Sequence, residues 1–394
     1  IGNFIHRTLT FVWTNFGGKV PKPNTYDETD KEFEGKVIKI AGEVSEVYSQ
    51  KDDVKALRKL TFRDAIREAL HEEMLRDERV VLLGEDIAAY GGWFQCTRGL
   101  LNEFGELRVR DTPVSEAAII GAAMGAAMTG MRPVAEIMFE DFVLCGMDQI
   151  VNQLAKMIYV SGGMWRLPVV LRMSAGTRYP VARTGAQHSQ NLEAYFIHTP
   201  GLKVVTPSTP FDAKGLLKTA IRDDSPVIFF EHKLLCYAPF REAICKRWPQ
   251  TISLAPEGDY TIPFGQADIK REGGDVTIVA TMMMVHKALA AAQTLESQGV
   301  DVEVVDPRTL VPFDKERVFK SVKKTGRLII ATEECRTGSI GDIIASIVAE
   351  EVFDYLDAPI NHVSAPDIPI PCGPEGFVIP QEEDIIQAVQ QIIH

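Results

Sequence analysis

The sequence predicts an α/β protein of two doubly wound parallel-sheet domains, and two observations carry the prediction. From Leu60 onward, segments with an apolar helical face alternate with short uninterrupted apolar runs, among them Val80-Val-Leu-Leu83 and Pro226-Val-Ile-Phe-Phe230. Strands that read this way between helices belong to a parallel sheet covered on both faces. A chain of 394 residues is also long enough for two such domains, each with a full core. A stretch rich in Pro and charge between Tyr237 and Asp268 divides the alternation in two. The expected layout is an N-terminal extension at 1–57, a first domain at 58–240, a linker at 241–267 and a second domain at 268–394.

The elements follow from local chemistry. In the extension, Phe11-Val-Trp13 is an apolar patch, Pro21-Lys-Pro-Asn24 a turn cluster, and Lys36-Val-Ile-Lys-Ile40 alternates like an edge strand. Thr61 suits the cap of a helix with Phe62, Ala65, Ile66, Ala69 and Leu70 on one face, and the strand at Val80 runs into Gly84-Glu-Asp86. The next helix is expected to start near Ser115, a favoured N-cap, with Glu116 at the positive end of the dipole. Gly121, Gly125 and the alanines between them leave no bulk on its surface, and Pro133 is expected to end it. A strand at 134–137, a helix at 141–160, a strand at 169–172, a helix at 211–221 and a strand at 226–230 complete the first domain. In the second, strands at 276–280, 302–305, 328–332 and 360–363 alternate with helices at 285–297, 315–323 and 339–350, and an amphipathic helix follows at 382–393.

A formal net charge of −12 repels nucleic acid and anionic membranes, so neither is an expected partner. No apolar run reaches membrane-spanning length. Cys96, Cys145, Cys236, Cys245, Cys335 and Cys372 make no C-x-x-C pair, zinc spacing or dense disulfide framework, and read as reduced thiols of a protein that is not secreted. No P-loop and no strand-borne G-x-G-x-x-G occurs, so ATP and NAD are not implied. A G-x-S-x-G elbow and H-E-x-x-H are absent as well.

Glu116 is the one charge between Asp111 and Arg132. It reads either as an acid that complements the helix dipole or as a carboxylate at the mouth of a buried helix, where scarce water strengthens a hydrogen bond to a ligand nitrogen. The polar, Gly-rich run 174–191 follows a strand, where open α/β sheets place their binding loops. Within it His188 lies between Gln187 and Ser189, either of which could fix its tautomer; it reads as an acid–base group or as a surface histidine. His232, after a strand end, is the runner-up. Phe139 and Phe142 flank Glu140 and Asp141 at another strand end, where an aromatic covers a flat ring or fills the core.

Six motifs together resemble one family: Leu82-Leu-Gly-Glu-Asp86, Asp111-Thr-Pro-Val-Ser-Glu116, Arg132-Pro-Val-Ala-Glu136, Gln187-His-Ser-Gln190, Gly201-Leu-Lys-Val-Val205 with Asp212-Ala-Lys-Gly215, and Pro366-Asp-Ile-Pro-Ile-Pro371. The family is that of the β subunits of the thiamin-diphosphate-dependent first component of 2-oxo acid dehydrogenase complexes, in their pyruvate and acetoin branches. The resemblance runs from about Leu60 to the C-terminus. It implies a transketolase-like pyrimidine-binding domain followed by a transketolase C-terminal-like domain. The implied activity is oxidative decarboxylation of a pyruvate-like 2-oxo acid with acyl transfer to lipoamide, or alternatively cleavage of acetoin.

Residue roles follow only from that resemblance. Glu116 matches the acid that hydrogen-bonds the aminopyrimidine nitrogen para to the exocyclic amine, favouring the imino tautomer that takes the thiazolium proton. Phe142 matches the residue stacked on the aminopyrimidine, Glu85 an acid lining the tunnel between two cofactors, and His188 the histidine that guides the lipoyl arm and protonation of the intermediate. A structural potassium ion on backbone carbonyls would map to Val169, Ala220, Ile221, Asp223 and Ser225, the last in place of the Asn of pyruvate-type members. Three extra residues lie between Arg172 and Gln187 relative to those members.

Such enzymes hold the diphosphate through Mg²⁺ on Gly-Asp-Gly, which occurs nowhere in this chain. The resemblance therefore implies an α subunit that supplies Mg²⁺ and diphosphate binding, an α2β2 assembly, and a lipoyl-bearing acyltransferase core docked on the C-terminal domain. The expected compartment is the cytoplasm of a bacterium, or the mitochondrial matrix or plastid of a eukaryote. A transketolase-like transfer between sugars fits less well, because transketolases usually carry the diphosphate-binding domain on the same chain. A non-catalytic scaffold is the remaining reading, opposed by the retention of Glu116, Phe142 and His188.

Overall fold

The computed structural model describes residues 57–237 and 241–393. The patch and edge strand expected before residue 57 lie outside them. Strand β1 (Leu57–Thr61) ends at the residue that starts the first helix, Phe62–Arg76. The Thr61 hydroxyl accepts from the Asp64 amide at 3.2 Å, satisfying one of the free amides of the first turn. The expected apolar face of this helix is buried, together with Glu73, whose carboxylate takes a 2.6 Å bond from Arg222 at the end of a second helix, Pro210–Arg222.

The first sheet holds β2 (Val80–Gly84), β3 (Val109–Asp111), β4 (Arg132–Ile137), β5 (Val170–Ala175), β6 (Lys203–Val205) and β7 (Val227–His232), all parallel, in the order β6-β7-β5-β4-β2-β3. Every residue of β5 and β7 is buried, as a sheet with both faces covered requires. Parallel strands put their C-terminal ends on one edge, the usual place for a binding crevice.

Three expectations for this half are corrected. The glutamate-headed helix spans Glu116–Met128, but Ser115 makes no side-chain cap bond. It ends ahead of Gly130, whose φ of +97° turns the backbone into the left-handed region that stops a helix; Pro133 instead lies within β4, opposite Val81. The single helix expected over 141–160 is a 3-10 turn at Glu140–Gly146, a π-helical turn at Asp148–Leu154 and a short α-helix at Met157–Val160. Packing explains the break. A Cβ on Gly146 would stand 2.4 Å from Ile120 Cδ1, so the chain bends tightly around the Glu116 helix.

The stretch expected as a plain linker carries a helix, Arg241–Arg247, and a strand, β8 (Ile252–Pro256), paired antiparallel with β1. Tyr260 stacks on Phe211 with ring centroids 4.9 Å apart, so this stretch is packed onto the Pro210–Arg222 helix. Pro and charge dominate its composition, and they concealed its few buried anchors, Trp248, Ala255 and Ile262.

The second sheet runs β14-β13-β10-β11-β9, with β10 (Val276–Ala280), β11 (Val302–Asp306), β13 (Leu328–Cys335) and β14 (Asn361–Ala365) parallel and β9 (Asp268–Arg271) antiparallel on β11. Strand β12 (Thr309–Val311) leaves this half and pairs antiparallel with β6 of the first sheet. The halves are further tied by Asp212, fully buried, which takes a 2.9 Å bond from Arg308 and pairs with Lys270. Burial alone would raise this carboxyl; the two cations hold it below the ordinary range. Among the described residues no helix is long and apolar enough to cross a membrane.

Candidate active site at the C-terminal edge of the first sheet

Strand direction brings the predicted residues to one edge. Glu85 follows β2, the Glu116 helix follows β3, Phe142 lies in the turn after β4, and the loop bearing His188 follows β5. The Phe142 turn packs on the first turn of the Glu116 helix, where a Cβ on Gly146 would lie 3.4 Å from the Glu116 carbonyl carbon. The His188 ring stands edge-on to Phe142 at 5.3 Å and to Phe139 at 5.5 Å between centroids. Of the two neighbours expected to fix its tautomer, Ser189 is engaged elsewhere, with its hydroxyl 2.5 Å from that of Thr184.

Glu116 is 8% exposed, and its carboxylate has no hydrogen-bond or ion-pair partner among the described residues. The residue is buried while its unpartnered carboxylate oxygens reach the surface, so they are open to a donor from outside the chain. Burial raises the Glu85 carboxyl above its ordinary value, and repulsion from Glu116 and then Asp86 adds to the shift. The outer face of the helix is open: a Cβ at Gly125 would meet nothing within 4 Å, and one at Gly121 only the Gln149 amide oxygen at 3.6 Å. Gly121 and Gly125 are therefore not required by packing among the described residues.

His232, the runner-up, is structural. It is fully buried, its Nδ1 accepts from the Leu234 amide at 3.2 Å, and its Nε2 then carries the proton donated to Glu333 at 2.7 Å. Burial opposes ionisation of Glu333, but His232 and Lys287 outweigh it and hold that carboxyl at about 2.

Two clusters went unnoticed in the sequence. In the first, register places Glu136 of β4 beside Arg172 of β5, and the pleat brings Glu231 of β7 to the same face. Arg172 donates to Glu231 at 2.6 and 2.9 Å and to Glu136 at 2.9 Å. Cys96 and Cys236 lie close by with Glu231, their ligand atoms within 4.8 Å. Both Glu231 oxygens already serve Arg172, and burial raises the Cys236 thiol well above its ordinary value, so this trio does not fit a metal ion.

The second cluster joins Glu140, Glu193 and Glu334. Burial is the main cause that raises all three carboxyls, and each repels another of the set or the nearby Glu333. Glu193 is pushed up to about 7 from its ordinary 4.5, against the pull of Asn191 and Lys233. Its Oε2 and the Oε1 of Glu334 are buried without a partner. Folding therefore takes up a proton between the unfolded and folded values, and stability falls as pH rises through that window. Glu193→Gln is expected to gain up to about 3 kcal/mol above pH 7 and nothing below pH 4.5. Equal melting-temperature gains at pH 4 and pH 8 would contradict the assignment.

The five positions expected to hold potassium lie at the end of the Pro210–Arg222 helix and at the start of β5, and most of their carbonyls are already engaged within the chain. The carbonyls of Ile221 and Asp223 accept from the Arg132 guanidinium at 2.8 and 2.6 Å, that of Val169 from the Val227 amide at 2.9 Å, and that of Ala220 from the Asp223 amide at 3.3 Å; the Asp223 carboxylate takes the Ser225 amide at 2.8 Å. The Arg132 guanidinium thus places a cation on two of these carbonyls.

Glu116, unpartnered among the described residues at the head of its helix, thus shares the C-terminal edge of a parallel sheet with Phe139, Phe142 and His188, ahead of a second α/β half. Residues 58–238 match the family described as transketolase, pyrimidine binding domain, and residues 265–385 that described as transketolase, C-terminal domain. The chain is 45% identical over 337 residues to the pyruvate dehydrogenase E1 component subunit beta of Rickettsia felis, covering 85% of this chain and 98% of that protein. It is 46% identical over 336 residues to the 2-oxoisovalerate dehydrogenase subunit beta of Bacillus subtilis, covering 84% and 98%. Against the acetoin:2,6-dichlorophenolindophenol oxidoreductase subunit beta of the same organism, identity is 45% over 350 residues, covering 85% and 98%. A solved chain described as a split-gene transketolase, inactive beta4 tetramer, superimposes with a TM-score of 0.66 at 23% identity, covering 85% of this chain and 98% of that one, and shows the fold alone. The chain belongs to the family of β subunits of the thiamin-dependent first component of 2-oxo acid dehydrogenase complexes.

Proposed function

We propose that this chain is the pyrimidine half-site of a 2-oxo acid dehydrogenase that decarboxylates a pyruvate-like acid oxidatively and passes the acyl unit to lipoamide. The observation that carries the reading is Glu116, a residue 8% exposed whose carboxylate is unpartnered within the described chain. Thiamin diphosphate, when bound, supplies the carbon nucleophile and the electron sink for loss of CO2. Glu116 would hold a proton at the aminopyrimidine nitrogen, Phe142 would cover the ring, and the apolar wall around them would exclude water. Glu85, its carboxyl raised by burial and by Glu116, would line the approach to the ring as an acid that holds its proton more readily than an ordinary carboxyl.

The sequence lacks Gly-Asp-Gly, and the Glu116 helix presents an open face. Both support an α subunit that brings Mg²⁺ and diphosphate ligands in an α2β2 assembly, with activity only in the pair. The acyltransferase core would dock on the second half. Decarboxylation by the reconstituted pair, assayed with pyruvate, branched-chain 2-oxo acids and acetoin, tests the reading. Turnover of acetoin alone would favour the second reading, which the acetoin relative supports. Turnover of none would defeat both.

His188, set against Phe139 and Phe142, would protonate and guide during transfer to the lipoyl arm. His188→Ala is expected to slow lipoyl-domain acylation roughly 10²-fold or more, as loss of a general acid does, and dye reduction far less; equal losses would remove the role. The same reading assigns a potassium ion to the carbonyls of Val169, Ala220, Ile221, Asp223 and Ser225, so melting should be higher in KCl than in choline chloride of equal strength. Identical midpoints would discard the ion.

A further inference from the structure

The loop that carries His188 is tied down by a residue far along the chain. Its base is closed by the Gly176 amide donating to the Gln190 carbonyl at 2.9 Å. Glu375, in a 3-10 turn of the second half and fully buried, reaches into the loop. Its Oε1 accepts from the amides of Thr184 at 2.7 Å and Gly185 at 2.9 Å, and its Oε2 from the Thr177 hydroxyl at 3.1 Å. No cation pairs with Glu375 among the described residues, so its buried charge is satisfied by the loop alone.

From those anchors the loop hands the constraint to His188 on both sides. The Gly185 carbonyl accepts from the His188 amide at 3.3 Å, and the Thr184 hydroxyl lies 2.5 Å from the hydroxyl of Ser189. Gly185 has φ +70°, and a Cβ there would stand 3.1 Å from Cys372 Cβ, which leaves the loop little freedom at the anchor. We propose that Glu375 is a positioning residue that holds the His188 ring against Phe139 and Phe142 for transfer to the lipoyl arm. The proposal rests on the transfer role given to His188 above.

The test uses the enzyme assembled with its partner subunit and compares Glu375→Ala, Glu375→Gln and His188→Ala. Arg183 is exposed in the same loop, so trypsin cleavage after it reports loop release directly. Glu375→Ala is expected to speed that cleavage at least tenfold, to slow lipoyl-domain acylation at least tenfold and to change dye reduction less than twofold. Glu375→Gln, which still accepts from the two amides, should recover most of both losses. Combining Glu375→Ala with His188→Ala should slow acylation no more than His188→Ala alone. Unchanged cleavage with unchanged acylation overturns the proposal, as does a double variant whose losses multiply. If His188→Ala slows both assays equally, the His188 reading fails by itself, and the cleavage rate still decides whether Glu375 anchors the loop.

Discussion

Glu116→Ala is expected to lower turnover by at least roughly two orders of magnitude while the subunits still assemble. A charge-assisted hydrogen bond of roughly 1.5–3 kcal/mol is lost, which corresponds to about 10- to 150-fold in rate when the bond acts in the rate-limiting step. Removing the proton carrier from the ring nitrogen adds to that loss. Assembly should persist because the carboxylate makes no bond within the described chain and the helix is anchored by Ile119, Ile120, Ala123 and Ala127. A second readout separates the site from the fold: Glu85 should titrate lower once the repulsion from Glu116 is gone, since that repulsion is the next cause of its shift after burial. Full activity in the variant, measured with every competent substrate, would end the half-site account.

Arg172→Met is expected to cost about 3–5 kcal/mol of stability, read by urea unfolding. Arg172, 2% exposed, is the one cation among the described residues that bonds both Glu136 and Glu231, and its removal leaves the carboxylates of β4 and β7 facing each other across β5 in a buried sheet. The loss should be larger at pH 8 than at pH 5, because burial already raises Glu136 and protonation would relieve the repulsion. Adding Glu231→Met should recover part of it by removing one of the stranded charges. A cost below about 1 kcal/mol would mean that the trio is solvated and not the closed network described, since exposed pairs contribute only that much.

Much of the fold was legible because it is local. Alternation of apolar runs and helical faces located most strands and helices of both sheets, and Thr61 and Glu116 announced two helix starts within about a residue. The misses share a cause. The helix expected over 141–160 has suitable periodicity, but Gly146 is pressed against Ile120 of a neighbouring helix and the chain is irregular there. The stretch after Tyr237 reads as linker by composition, although its strand exists only by pairing with β1. Strand β12, three residues long, has no signal until β6 lies beside it.

The candidate site divides the same way. By itself the sequence determined the α/β alternation, the lone acid heading a small-residue helix, the polar loop around His188, and the lack of a diphosphate-metal motif, because each is a property of a few consecutive residues. Only the tertiary structure decided that Glu136, Arg172 and Glu231 share one face, that His232 serves Glu333 instead of a substrate, and that Glu375 holds a loop 190 residues earlier in the chain. Those relations depend on strand register and on contacts between halves, and side-chain chemistry cannot specify a partner whose distance in space is unrelated to its distance along the chain.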